Sequence, residues 1–224
     1  MQMFVDGERV GAASGATMEV RNPATGEVVD SVPRADADDT RRAIEAAHQA
    51  FPAWSKLAPA KRAHILARAA ACVRDHLDDV AQLLTSEQGK PIRDSKIEAD
   101  RFAENIDIYA GLVLGGAPSG RHVPLPSQHA IGLVVRRPLG VVGAIIPWNF
   151  PLTLLANKIA PAMAVGNTVV AKPASTTPLS TLRLAELMHE GGLPAGVLNV
   201  VTGPGGVVGE EIIRNPLVRK IGFT

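Results

Sequence analysis

Short apolar runs alternate with helical segments along the second half of the chain, and this alternation restricts the fold more than any other feature. The run GVVGAII from Gly140 to Ile146 is apolar throughout, which is typical of a strand buried on both faces of a sheet. Helices and strands then alternate as far as Thr224, joined by short loops. Such an order indicates a parallel sheet with right-handed crossovers and helices on its faces. We therefore predict an α/β core over residues 139–224.

The region before residue 120 has a different pattern. Short apolar segments around Asp6-Gly7 and Asn22-Pro23 predict strands joined by turns. Helical periodicity follows from Asp36 to Gly116, and we predict a break between two helices near His76–Asp79. The N-terminal part is therefore predicted to consist of short strands followed by helices.

Two extended segments lie between Arg121 and Pro138, and they contain three prolines. Because proline cannot donate a ladder hydrogen bond, these segments do not suit the centre of a sheet. We predict a protruding arm or edge ribbon, a feature that often forms contacts between subunits. Scaffold filler without a binding role is nearly as good an interpretation, and the residues alone leave both open.

The composition favours a soluble α/β protein over several other classes. Hydrophobic residues make up 46% of the 224 residues, which is enough for a sizeable core. The net charge of +1 provides no large field to attract nucleic acid or a membrane surface. The N-terminus lacks the apolar segment of a signal peptide, and no apolar run is long enough to span a membrane. We expect a soluble cytoplasmic protein.

The stretch PWNF places Asn149 between the end of a predicted strand and the start of a helix. Ligands of open α/β sheets bind beyond the carboxyl ends of the strands, and helix starts carry unpaired N–H groups. The Asn149 carboxamide could donate to a carbonyl oxygen that gains negative charge under attack. It could instead cap the helix, a position that asparagine favours. Position alone favours the cap, whereas the rigid setting of Trp148 and two prolines favours the donor.

The stretch AKPAS follows the next strand and brings Lys172 to the same edge of the sheet. Its ammonium group could hold a ribose hydroxyl or a phosphate, and Pro173 would stiffen the loop behind it. Ser175 carries no charge, so it would not repel a 2′-phosphate as an acidic residue would. A lysine in a surface loop is the alternative, and it is the better interpretation of this stretch taken alone.

The glycine-rich stretch TGPGGVVGEE follows a third strand. Its spacing does not give the G-x-G-x-x-G dinucleotide pattern, because position 208 is valine. Glycines such as Gly205 and Gly209 still permit a ligand to approach the backbone closely. A tight turn between strand and helix explains the same residues equally well.

The other chemically reactive residues give weaker signals. The six histidines are scattered without metal-ligand spacing, so no metal site is predicted, and no G-x-S-x-G nucleophile pattern occurs. Cys72 lies in an alanine-rich helical stretch, which favours a buried structural thiol over a nucleophile. Glu87 and Glu98 fall on predicted helices, where solvated faces are expected. Lys158 could face a substrate carboxylate, although a surface lysine is the favoured interpretation.

Taken together, these stretches resemble the NAD(P)-dependent aldehyde dehydrogenase superfamily. The resemblance rests on PWNFP, on KPAS after the next strand and on TGPGGVVG, with support from EQGKP and the closing IGFT. It covers essentially the whole chain and is closest to the semialdehyde and aliphatic aldehyde branches. It implies a modified Rossmann-like parallel sheet without the usual glycine pattern. The implied regions are the N-terminal part of the cofactor-binding domain (1–120), an oligomerisation arm (121–138) and the core of the NAD(P)-binding domain (139–224).

The resemblance also implies a role for each matching position. Asn149 would supply the oxyanion-hole amide in the oxidation of an aldehyde to a carboxylic acid. Lys172 would bind the adenosine ribose, and Ser175 stands where many NAD-preferring members carry glutamate, so NADP would be permitted as well as NAD. The implied cofactor-binding positions are Ile146, Pro147, Trp148, Asn149, Lys172, Pro173, Ala174, Ser175, Gly205 and Gly209. The implied partners are an aldehyde, NAD(P) and further copies of the chain in a homo-oligomer.

The chain departs from the family in its length. Family members continue beyond the position of Thr224 with a Gly-Ser pair that contacts the pyrophosphate, a glutamate general base and a cysteine nucleophile. The resemblance therefore implies that this chain corresponds to the N-terminal part of a family member and lacks the catalytic domain. Such a part is expected to be inactive alone, to expose apolar surface and to dissolve poorly. Two other interpretations remain open, namely a non-catalytic module for nucleotide binding or assembly and an α/β fragment without a ligand.

Overall fold

The computed structural model describes residues 1–116, 118–126 and 129–224. Within these residues the strands are β1 (Met3–Val5), β2 (Glu8–Val10), β3 (Thr17–Arg21), β4 (Val28–Pro33), β5 (Gly120–Val123), β6 (Gly132–Val135), β7 (Val141–Ile145), β8 (Thr168–Lys172), β9 (Leu198–Val200) and β10 (Val218–Phe223). The helices are α1 (Ala37–Lys56), α2 (Pro59–Asp75), α3 (Leu77–Gln88), α4 (Ile92–Leu114), α5 (Pro151–Ala164), α6 (Leu179–Glu190) and α7 (Glu210–Arg214), and a π-helical turn over Gly205–Gly209 leads into α7.

The main sheet has the strand order β10-β7-β8-β9-β1-β2 in the described residues. The strands β10, β7, β8 and β9 are parallel, which confirms the predicted α/β core. A hairpin of β1 and β2 extends this sheet, with Phe4 paired antiparallel to Val200 of β9. The predicted turn at Asp6-Gly7 joins the hairpin with φ angles of 53° and 79°. The sequence did not indicate that this hairpin completes the main sheet.

Helices cover both faces of the main sheet. On one face, Ala43 and Ile44 of α1 and Ile212 of α7 belong to the same apolar cluster as Val141 of β7. On the other face, Val142 joins the larger core formed with α5, α6 and the helices behind them. Because successive strand residues point to opposite faces, burial of both valines confirms the prediction that this strand is covered on both sides. No helix among the described residues is long and apolar enough to cross a membrane.

Helices α3 and α4 form a corner beside this larger core. The helix α2 ends at Asp75 and α3 begins at Leu77, so the predicted break near His76–Asp79 is confirmed. The helix α3 ends at Gln88 and is capped by Gly89, whose φ of 86° is left-handed, and Pro91 precedes α4. The stretch EQGKP, residues 87–91, occupies this corner. Its Glu87 contacts the first turn of α6, and its Lys90 contacts Asn149, just before α5.

The strands β5 and β6 pair antiparallel in a separate two-stranded ribbon. Apolar side chains of this ribbon are uncovered, since Ile131, just before β6, and Leu133 and Val135 of β6 are between 64% and 78% exposed. The ribbon shape predicted for this region is confirmed, although residues 127 and 128 of the predicted arm and residue 117 before it lie outside the described residues. Its use as a contact between subunits stays a prediction.

Candidate active site

The carboxyl ends of β7 and β8 meet at one edge of the main sheet. Ile145 of β7 pairs with Lys172 of β8, and the N–H of Ile146 donates to the carbonyl oxygen of Lys172 at 3.0 Å. The PWNF turn (147–150) and the AKPAS loop (171–175) therefore leave the sheet side by side. This is the edge at which parallel sheets bind ligands.

Asn149 lies one residue before the N-cap of α5, because the cap residue is Phe150 and the helix begins at Pro151. The side-chain Oδ1 of Asn149 accepts the N–H of Phe150 at 3.0 Å. Its NH₂ group has no hydrogen-bond acceptor among the described residues, and the residue is exposed. The interpretation of Asn149 as the helix cap is therefore wrong, and its NH₂ group remains able to donate.

The cap of α5 comes instead from Glu98 of α4. Its Oε1 accepts the N–H groups of Leu152 at 2.9 Å and Thr153 at 3.1 Å, and only 3% of the residue is exposed. A carboxylate is favourable at this place because unpaired N–H groups and the positive end of the helix dipole meet it. The prediction that Glu98 lies on a solvated face is wrong.

Lys90 completes the contact between the EQGKP corner and the PWNF turn. Its ammonium group forms an ion pair with Glu98 and donates to the main-chain oxygen of Asn149 at 3.2 Å. It also lies 4.5 Å from the centre of the Phe150 ring, within the range of a cation–π interaction. The Gln88 Nε2 donates to the same Asn149 oxygen at 3.4 Å. The corner thus holds the turn that carries Asn149.

Lys172 is the last residue of β8 and only 5% exposed, so its interpretation as a lysine in a surface loop is wrong. Its Nζ donates to the carbonyl oxygen of Pro173 at 3.0 Å. Burial removes water from the ammonium group and lowers its pKa. Because an ammonium group has three N–H donors, Lys172 can also bond a hydroxyl or phosphate oxygen of a ligand.

The glycine-rich stretch reaches the same edge. A Cβ placed on Gly209 would lie 3.9 Å from Cδ of Lys172, so the backbone passes directly beside the buried lysine. Gly205 is open, with no atom within 4 Å of a Cβ placed on it. The Ser175 hydroxyl donates to the carbonyl oxygen of Gly203 at 3.3 Å and ties the AKPAS loop to this turn. The three stretches singled out in the sequence therefore converge.

The outer side of this edge is apolar. Trp148, Phe150 and Phe223 are 61%, 54% and 73% exposed, respectively. The remaining predicted positions lie deeper: Ile146 and Pro173 are buried, and Pro147 and Ala174 are partly buried. The edge thus presents the kind of exposed apolar surface expected from the sequence, whereas low solubility stays a prediction.

Glu87 binds the first turn of the helix that follows the AKPAS loop. Its Oε2 accepts the N–H of Leu179 at 2.6 Å, and its Oε1 accepts both the N–H of Ser180 at 3.0 Å and the Ser180 hydroxyl. The residue is 2% exposed, so its prediction as part of a solvated face is also wrong. Burial raises the pKa of Glu87 to about 7, because the loss of water outweighs these hydrogen bonds.

Lys158 lies on α5, on the side that faces β10. Its Nζ donates to the carbonyl oxygen of Leu154 at 3.3 Å and to the Thr224 hydroxyl at 2.6 Å, and its partial burial lowers its pKa. It borders a cavity of about 810 Å³ between α5, the base of the ribbon and β10, which none of the predicted cofactor-binding residues lines. Lys158 is therefore less exposed than a surface lysine, and it lies apart from the converging stretches.

Other reactive groups in the described residues lie outside this edge. Cys72 is partly buried on α2, and burial raises the pKa of its thiol, which disfavours the reactive thiolate. Among residues 1–116, 118–126 and 129–224, no group of His, Cys, Asp and Glu side chains could hold a metal ion.

Comparison with known proteins assigns this geometry to a family. The model of the aldehyde dehydrogenase family matches residues 10–224. The chain belongs to this family. Family membership confirms the resemblance carried by the PWNFP, KPAS and TGPGGVVG stretches, and it agrees with the parallel sheet and flanking helices.

Among curated relatives, this member of the aldehyde dehydrogenase family is 45% identical over 223 residues to a succinate-semialdehyde dehydrogenase [NADP(+)] of Escherichia coli. It is 46% identical over 226 residues to a glutarate-semialdehyde dehydrogenase of Pseudomonas aeruginosa. Each match covers 100% of this chain and 46% of the relative. The chain therefore spans about half the length of the curated relatives it matches.

Solved structures of the family have the same fold. The crystal structure of an NADP-dependent enzyme of E. coli matches with a TM-score of 0.96 and 45% identity, over 99% of this chain and 46% of that one. The crystal structure of PnpE in complex with nicotinamide adenine dinucleotide matches with a TM-score of 0.95 and 40% identity, over 99% of this chain and 45% of that one. The fold of this chain is therefore that of the matching part of these relatives.

Proposed function

We propose that this chain forms the cofactor-binding part of an NAD(P)-dependent dehydrogenase that oxidises an aldehyde to a carboxylic acid. The complete reaction converts the aldehyde, NAD(P)⁺ and water into a carboxylate, NAD(P)H and two protons. The observation that carries the proposal is the convergence of Asn149, Lys172 and Gly209 at one edge of the sheet. The names of the relatives support it, and they make semialdehydes the first substrates to test.

Asn149 is the catalytic residue that this chain contributes in our proposal. Attack on the carbonyl carbon of an aldehyde places negative charge on its oxygen, and a positioned amide NH₂ stabilises that charge. The Asn149 Oδ1 is held by the N–H of Phe150, and its main-chain oxygen is held by Lys90. The donor is therefore oriented before the reaction begins.

The residues of this edge fit a dinucleotide. Lys172 offers buried N–H donors suited to a ribose hydroxyl, and the open backbone at Gly205 leaves room for a ligand. The uncharged Ser175 tolerates the 2′-phosphate of NADP as well as the hydroxyl of NAD. When bound, the cofactor supplies the hydride acceptor. The further contacts that we propose come from Ile146, Pro147, Trp148, Pro173, Ala174 and Gly209.

The nucleophile of the reaction is not assigned to Cys72. Its partly buried thiol has a raised pKa, which is the opposite of what thiolate attack requires. We propose that the nucleophile and the base that activates water belong to the remainder of a protein of the relatives' length. The chain alone would then bind the cofactor weakly, since the Gly-Ser pair that contacts the pyrophosphate in the family is not part of it, and it would not oxidise aldehyde.

Calorimetry of the chain with NADP and with NAD tests the cofactor site. Lys172→Met should weaken binding of both by roughly tenfold or more, because a hydrogen bond from a charged group contributes about 1.5–3 kcal/mol. Lys96→Met, which removes an exposed lysine of α4, is the matched control and should leave binding unchanged. Absence of binding by the unsubstituted chain, or equal binding by Lys172→Met, would contradict the assignment of the site.

The formation of NAD(P)H tests the reaction. Succinate semialdehyde and glutarate semialdehyde should be oxidised by the complete enzyme and not by this chain alone. Turnover by the chain alone would contradict the assignment of the nucleophile to the remainder of the protein. Cofactor binding without turnover by the complete protein would favour the competing function, a non-catalytic nucleotide-binding module.

We further propose that the β5–β6 ribbon is a contact between copies of the chain. The exposed apolar side chains of Ile131, Leu133 and Val135 support this proposal, because uncovered apolar surface on a protein marks interaction sites.

A further inference from the structure

We propose that Lys90 and Glu98 are positioning residues for Asn149, so that this buried ion pair acts on the reaction by fixing the direction of the Asn149 amide. The inference rests on the proposed function of Asn149 as the donor to the aldehyde oxygen. The inference adds two residues to the site, Lys90 in the corner between α3 and α4 and Glu98 on α4. Both lie more than fifty positions before Asn149.

The pair holds both Asn149 and the start of the helix that follows it. On the helical side, Glu98 accepts the N–H groups of Leu152 at 2.9 Å and Thr153 at 3.1 Å and so fixes the start of α5. On the turn itself, Lys90 donates to the main-chain oxygen of Asn149 at 3.2 Å. One ion pair therefore joins the turn to the helix start.

These contacts determine which way the Asn149 side chain faces. Its main-chain oxygen points at Lys90, and its Oδ1 accepts the N–H of Phe150 at 3.0 Å. With both oxygens engaged, the NH₂ group is the part of Asn149 that is directed away from the protein contacts. Phe150, the residue after Asn149, is restrained as well, because the Lys90 ammonium group lies 4.5 Å from the centre of its ring.

The burial of the pair makes the two residues depend on each other. The side chains of Lys90 and Glu98 are 11% and 3% exposed, so removal of either charge leaves the other poorly solvated. The exposed pair of Lys96 on α4 with Asp78 on α3, whose side chains are 51% and 84% exposed, provides a matched contrast. A pair that served stability alone would not need to contact Asn149.

The experiment is a double-mutant cycle in the complete enzyme. Lys90→Met should lower kcat by roughly 10- to 100-fold, which is the cost of a small misplacement of a catalytic group, and leave the Kd of NADP nearly unchanged. In the Asn149→Ala background the same substitution should lower kcat by less than about twofold, because there is no amide left to position. Lys90→Arg should restore much of the rate, and Lys96→Met should have no effect.

Glu98→Gln gives a second variant for the same cycle. Its amide oxygen can still accept the N–H groups of Leu152 and Thr153, while the charge that holds Lys90 is lost, so kcat should fall as in Lys90→Met. The inference would be overturned if Lys90→Met and Glu98→Gln lowered kcat by the same factor in the unsubstituted enzyme and in the Asn149→Ala variant. It would also be overturned if they lowered kcat in neither. If Asn149→Ala alone leaves kcat unchanged, the proposed function of Asn149 fails instead, so the two failures are distinguishable.

Discussion

The carboxylate of Glu98 accepts the backbone N–H of Leu152 at 2.9 Å, although the two residues are 54 positions apart. The helix that follows Asn149 is therefore capped by another helix, and Asn149 is released from the capping role that its position suggests. A side chain at a strand end can bond a ligand only if the neighbouring backbone does not use all of its polar groups.

Removal of the Glu98 carboxylate should destabilise the protein strongly. Glu98→Ala leaves the largely buried Lys90 without its partner and the first turn of α5 uncapped, and loss of one member of a buried pair costs about 3–5 kcal/mol at most. Glu98→Gln should cost less, because its amide oxygen still caps the helix. The midpoints of thermal unfolding of both variants test this order, and equal midpoints for Glu98→Ala and the unsubstituted protein would contradict it.

Glu87 should make stability depend on pH in an unusual direction. Its pKa is about 7 in the folded protein against 4.5 for an ordinary glutamate, so the folded state holds the proton more tightly than the unfolded chain. Its contribution to the free energy of unfolding is therefore complete below about pH 4.5 and is lost as the pH rises to about 7, by roughly 3 kcal/mol.

The matched comparison for Glu87 is Glu87→Gln, which is neutral at every pH. The stability of the unsubstituted protein relative to this variant should fall between about pH 4.5 and pH 7 and then level off. Urea unfolding of both proteins across this range provides the measurement. If the difference in unfolding free energy between the two proteins stayed constant with pH, the Glu87 carboxyl would have the same pKa in the folded and unfolded states, contrary to this prediction.

Ser175→Glu should shift the choice of cofactor. A carboxylate beside the proposed adenosine ribose repels a 2′-phosphate and can bond the hydroxyls of NAD. We expect the Kd of NADP to rise by roughly tenfold or more, while the Kd of NAD stays equal or falls. Calorimetry with both cofactors tests this, and Ser86→Glu on α3 controls for the added charge. An equal change for the two cofactors would place Ser175 away from the ribose.

Leu133→Asp should weaken self-association. Leu133 is 70% exposed on the ribbon, and a carboxylate at an apolar contact would have to be buried without a partner. The mass of the complete protein in solution, measured by light scattering, should decrease in this variant. Lys61→Asp, a change to an exposed residue of α2, is the control. An unchanged mass for Leu133→Asp would argue against the ribbon as the contact.

Much of the fold could be predicted because its signals are local. The apolar run at Gly140–Ile146 indicated a strand covered on both faces, and the neighbouring valines of β7 are buried on opposite sides. The place of the β1–β2 hairpin could not be predicted, because the pairing of Phe4 with Val200 joins segments nearly two hundred residues apart.

The convergence of the three stretches was predictable from the rule that parallel strands end at a common edge. The two buried glutamates were missed, although a signal was present. Glu87 falls on the buried stripe of Val80 and Leu84 in α3, and Glu98 falls on that of Phe102 in α4. A carboxylate on such a stripe needs buried donors, and the start of another helix provides them. The sequence does not indicate which helix it is.

The most direct test of the account is the rate of the complete enzyme with Asn149→Ala, measured with a semialdehyde at saturating cofactor. Loss of an oxyanion donor should lower kcat by roughly 10²- to 10³-fold, with no loss in the control Asn105→Ala on α4. A kcat for Asn149→Ala within about twofold of the unsubstituted enzyme would contradict the central claim that this amide stabilises the transition state.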